Sequence, residues 1–182
     1  MAEPITLDEA KSHLRMDLTF TYDDDYITNL IVASREWAEN YTGRSLIPKT
    51  LDHLIDCFGI GGIPLPYGPV VSITSVKYID FLGVEQTLDA GEYVLFNHHE
   101  QAFLTLAYSH MWPTTRNEPN AVRIKYVTGY ATAADVPQSI KQAMFLALTD
   151  MYENRTGQVD KQLMENKAMC ALLALYNMWG GL

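Results

Sequence analysis

The sequence is poor in several things that would each point to a definite chemistry. Among its 182 residues there are two cysteines, Cys57 and Cys170. They are far apart, and neither has the spacing of a metal-ligand pair. They are expected to be reduced thiols packed as small hydrophobes. Lys and Arg number 13 against 22 Asp and Glu, for a formal net charge of −9, and the cations never form a run. A surface that grips nucleic acid through its phosphates needs clustered cations, so tight nucleic-acid binding is disfavoured. No apolar stretch is long enough to span a bilayer. The opening MAEPITLDEAK lacks the basic start and apolar core of a signal peptide, so the expectation is a soluble protein made in the cytosol.

Catalytic signatures are scarce too. GIGGIPLP at Gly59 has glycines, but the prolines that follow forbid the helix a phosphate loop would open. No serine stands in a nucleophile elbow. His98-His99-Glu100 read as solvated turn residues, since strand neighbours point to opposite faces. Asp23-Asp24-Asp25 read as an acidic helix start rather than a cation loop, which would need ligands spread around it. No catalytic residue, metal ligand or cofactor is therefore expected. The eleven tyrosines lie among apolar and acidic residues, which suits core and protein–protein contact better than base stacking.

What the chain does have is a clear order of periodicities. Thr6 and Glu9 have capping-box spacing, with Ile5 and Ala10 as a weak staple, and predict a short helix ending near Asp17. In YITNLIVASREWAENYT, Ile27, Leu30, Ile31, Ser34, Trp37, Ala38 and Tyr41 recur at helical spacing, and Gly43 supplies the stop. Trp37 is expected in the core. From Pro48 to Tyr130 the period becomes two. TLDHLIDCF, VVSITSVKYID, VEQTL, EYVLFN, AFLTLA and AVRIKYVTGY are the predicted strands, rich in β-branched and aromatic residues. Gly59 to Pro69 is predicted to be one loop, and Ser109 to Asn120 an exposed, functional one. Helix returns at Val136, with Pro137 at its first position and Ile140, Ala143, Met144, Ala147, Leu148 and Met151 along one stripe. TGQVD then separates this helix from a last one, about Lys161 to Trp179.

The fold class that follows is α+β: a small helical domain, from N- and C-terminal helices, with an inserted antiparallel β-sheet region. The expected divisions are 1–47 and 131–157 for the helical domain, 48–130 for the β-rich insertion, and 158–182 for a C-terminal helix. That last helix is apolar on more than one face. Met169, Leu172, Leu173, Tyr176 and Trp179 are candidate partner-binding residues, with burial in the chain's own core as the competing account.

Four segments in order carry a resemblance. They are ITLDEAKSHLRMD with the acidic run and WAENYTGRSL; LPYGPVVSITSVKYID, with Gly68, Pro69, Val70, Ser75, Val76 and Tyr78; YVTGYATAADVPQSIKQAM; and LTDMYENRTG, around Tyr152, Asn154 and Arg155. Over roughly residues 4 to 157 the chain resembles the head–tail connector (adaptor) proteins of tailed bacteriophages. The resemblance implies a structural protein of the virion's head–tail junction, not an enzyme. It implies a homo-oligomeric ring of about twelve copies built by repeating one heterologous contact. The ring would lie beneath the portal protein, meet a downstream neck or tail protein, and let genomic DNA pass without specific binding. An acidic lumen suits that passage, because it repels phosphates. Competing readings are another neck or tail-completion protein, a stopper or terminator, and a small cytosolic enzyme or ligand-binding domain.

Overall fold

The computed structural model describes residues 3–98, 101–154 and 167–178. The chain divides into two compact units, one of Met1–Ile47 with Tyr130–Leu182 and one of Pro48–Gly129. The first is helical and the second is built of strands, so the fold is α+β.

In the helical unit, α1 (Leu7–His13) starts from the capping box the sequence predicts. The Thr6 hydroxyl accepts from the Glu9 N–H, and the Glu9 carboxylate accepts from the Thr6 N–H at 2.7 Å. The helix stops four residues before Asp17. Arg15 turns to φ 58°, and Asp17 instead accepts from the Thr19 backbone and hydroxyl. Lys11 is 2% exposed and lies 2.5 Å from Asp24, which ties α1 to the first residue of α2 (Asp24–Thr42). The acidic run at the head of α2 thus has defined jobs. Asp24 pairs with Lys11, and Asp23 accepts from the Tyr152 hydroxyl at 2.7 Å. Gly43 ends α2 in the left-handed region at φ 68°, where a side chain would be strained.

The one-turn 3₁₀ segment Ala133–Asp135 is capped reciprocally by Thr132 and Asp135 and leads through Pro137 into α3 (Gln138–Glu153). The core of this unit joins Ile5, Ile27, Leu30, Ile31, Ala38, Leu46, Ile140, Ala143, Met144, Leu148 and Leu173. The α2 and α3 residues in that set have the three-and-four spacing predicted from sequence. Trp37 is half-buried rather than fully enclosed, packing on the core's edge with its ring 5.9 Å from that of Tyr41.

The strand unit holds two antiparallel sheets. The four-stranded sheet runs β1–β7–β3–β4, from β1 (Lys49–Ile55), β3 (Val70–Ile79), β4 (Glu85–Thr87) and β7 (Val122–Thr128). The three-stranded sheet runs β2–β6–β5, from β2 (Ile63–Leu65), β5 (Tyr93–His98) and β6 (Gln101–Leu106). Val76, Leu104, Val122, Ile124 and Tyr126 lie in their shared core. The Tyr126 hydroxyl donates to the Pro66 carbonyl at 2.8 Å, and burial pushes its pKa up to about 12.

All six predicted strands form. β2, inside the predicted loop, was missed because Pro64 argues against a strand. Its register explains the exception. Ala107 donates to the Glu92 carbonyl, so alternation along the ladder makes Val94–Thr105 and Phe96–Phe103 mutually bonded pairs. The groups of β6 left over, at Ala102 and Leu104, face Leu65 and Ile63. Pro64 stands opposite Phe103 in the unbonded position, so its missing N–H falls on the sheet's outer edge. Cys57, expected to be packed, is exposed just beyond the end of β1, while Cys170 is half-buried.

One ionic cluster organises the helical unit. Arg35, 6% exposed, sends its Nε to Glu3 at 2.8 Å and a terminal nitrogen to Glu39 at 2.7 Å. The other Glu39 oxygen accepts the Leu46 N–H at 2.8 Å. Removing one partner of a buried pair leaves a charge without compensation, which costs more than trimming a half-buried ring. Glu39→Ala should therefore destabilise by about 3 kcal/mol and Trp37→Ala by about 2 kcal/mol. Chemical denaturation of the two variants checks the order. Equal midpoints would mean that Arg35 finds water or another acid.

Candidate functional site

Helix α4 (Lys167–Ala174) brings most of the sequence-predicted residues together, but it uses them unequally. Leu173 is 0% exposed and belongs to the core formed with α2 and α3. Leu172 and Tyr176 pack against the same core and keep part of their surface outside, and Met169 is half-buried. Trp179 lies outside the described residues, as do residues 161–166, where the predicted helix was to begin. Leu175, which the helical pattern places on one face with Ala168 and Leu172 but which is not among the candidate partner-binding residues, is 83% exposed. It lies just past the last residue of α4, in the turn that follows.

The segment after α4 is held by the end of α2. Arg44, itself buried, donates its Nε to the Tyr176 carbonyl at 2.6 Å, and its guanidinium lies 5.8 Å from the Tyr176 ring centre. The Met178 N–H donates to the Thr42 carbonyl at 2.8 Å, satisfying an acceptor at the helix C-terminus. The clasp is made where a helix must otherwise leave its last carbonyls unpaired.

A second surface lies in the strand unit, where most of the exposed large apolar side chains among the described residues are found. Phe58 stacks on Trp112 with ring centres 4.6 Å apart and planes nearly parallel, and meets Tyr78 edge-on. Beside this stack is a cleft of about 770 Å3 bordered by Ile60, Gly62, Thr105, Leu106 and Met111. The stretch Ser109–Asn120, predicted to be exposed and functional, is anchored along its length. Thr115 bridges to Asp80, the Arg116 N–H donates to the Ile79 carbonyl, and the Asn120 N–H donates to Asp56. Tyr108 and Met111 nevertheless stand almost fully in solvent.

The β3–β4 turn carries Phe81, Leu82 and Val84, all exposed. Asp80 shapes it. The Val84 N–H, the Gln86 side-chain amide and the Leu82 N–H all donate to its carboxylate at 2.9 Å. These bonds to the charged form, that of Val84 foremost, hold the Asp80 pKa below its ordinary 3.8.

Nothing in these arrangements assembles a catalytic group. Among the described residues no set of three His, Cys, Asp or Glu side chains could share a metal ion. No helix among them is long and apolar enough to cross a membrane. His98 is the last residue of β5, and His99 and Glu100 lie outside the described residues.

Comparison with known proteins bears out the resemblance over the first part of the span read from sequence. Residues 4–79 match the model of the phage gp6-like head–tail connector protein family. Head completion protein gp6 of Enterobacteria phage HK97 is 38% identical over 52 residues, which are 29% of this chain and 48% of that protein. The chain thus matches about half the length of this curated relative. Whole-chain similarity comes from solved structures. The neck of an empty gene transfer agent (GTA) particle, computed with C6 symmetry, contains a chain that superposes with a TM-score of 0.75 at 22% identity, covering 97% of this chain and 92% of that one. A chain of the native GTA virion gives 0.76 at 22%, covering 96% and 89%. A chain of the native GTA neck, computed with C12 symmetry, gives 0.70 at 24%, covering 97% and 92%. At these identities the structural matches establish a shared fold, and that fold includes the strand unit beyond residue 79.

Two outcomes check the geometry of these surfaces. Leu173→Ala should cost about 3 kcal/mol, the usual cavity cost in a core, while Leu175→Ala should be nearly neutral. Thermal unfolding separates them, and similar shifts would contradict the placement of α4. Acidification tests Asp80. Because its pKa is lowered on folding, its contribution is full above the ordinary value of 3.8 and is lost as pH falls through the lower, folded value. Amide exchange at Leu82 and Val84 should accelerate, relative to neighbouring strands, only below about pH 3.8. Acceleration already near neutrality would show that another group holds the turn.

Proposed function

We propose that this chain is a structural head–tail connector, an adaptor that joins a DNA-filled capsid to the tail machinery of a phage-like particle. The observation that carries the reading is the coincidence of two independent likenesses. Residues 4–79 match a connector family by sequence, and nearly all of the chain superposes on chains of particle necks.

On this reading the chain acts as one of about twelve identical subunits in a closed ring, each contributing the same heterologous contact. One face of the ring meets the portal and the other meets the next neck or tail component. The genome crosses the ring without sequence-specific contact. The net charge of −9 supports that passage, since an acidic wall gives phosphates nothing to hold.

The C-terminal segment remains the proposed contact with the portal or a neighbouring subunit, on a narrower set of side chains than the sequence suggests. Leu173 is used by the chain's own core. Met169, Leu172 and Tyr176, with Leu175 beside them, retain surface for a partner, and Trp179 follows. Half-buried apolar side chains on a rigid base make good anchors, because little conformational freedom is lost when they are covered.

Silencing the gene in the producing particle system tests the function. The expected result is heads that package DNA and then lack tails or leak their genome, seen by electron microscopy of the lysate. Normal tailed, infectious particles would contradict the proposal. Empty, unpackaged heads would instead place the protein earlier in assembly.

A further inference from the structure

We draw no further inference here: the strongest candidate, the apolar cleft beside the Phe58–Trp112 stack in the strand unit, is an unpartnered face, and nothing in the structure shows what covers it.

Discussion

The helical unit depends on one desolvated carboxylate. Glu39 stands near the end of α2 and serves two masters: one oxygen holds the guanidinium of Arg35 and the other the Leu46 N–H. Arg35 in turn reaches Glu3, so a single buried charge fixes the segment before α1, the body of α2 and the segment that leaves it. Such a cluster adds little net stability over apolar packing of equal volume, but it tolerates no partner exchange, which makes it a device for fixing geometry. On the connector reading proposed above, a ring subunit needs that fixity. Small errors in the placement of a repeated contact accumulate around the circle, and a closed assembly admits only one rotation per step.

The two units answer different physical demands. The helical unit buries the stripes of α2 and α3, encloses Leu173 of the last described helix and clasps the segment that follows through Arg44 and Thr42, while Phe20, Tyr22 and Leu175 stay in solvent. The strand unit leaves apolar surface uncovered at Phe81, Leu82, Tyr108 and Met111. Its turns are nonetheless tightly specified, by Asp80 in one and by the Asp56–Asn120 bond in another. Exposed apolar residues on well-fixed turns differ from those on loose ones: they are surfaces that lose little entropy when another molecule covers them.

Much of this was legible in the amino-acid order. The Thr6–Glu9 box, the α2 stripe, the Gly43 stop and six of seven strands follow from local rules, because each depends on neighbours within one turn or one hairpin. What escaped depends on distant partners. β2 could not be read because Pro64 is tolerated only by virtue of its register against Phe103. By local rules the Asp23–Asp25 run suits dipole compensation, whereas Asp24 and Asp23 answer Lys11 and Tyr152, one of them more than a hundred residues away. The excess of apolar residues in the last helix was visible, but not which of them the core would take. Leu173 and Leu175 have the same chemistry and opposite fates, and only the packing of α4 decides between them.

Reconstruction of the particle neck by electron cryo-microscopy tests the central claim most directly. The account predicts a closed ring of this chain at the head–tail junction, with the helical and strand units both resolved and the DNA path running through its centre. Density for the junction that is fully explained by other proteins, with this chain absent from purified particles, would contradict it.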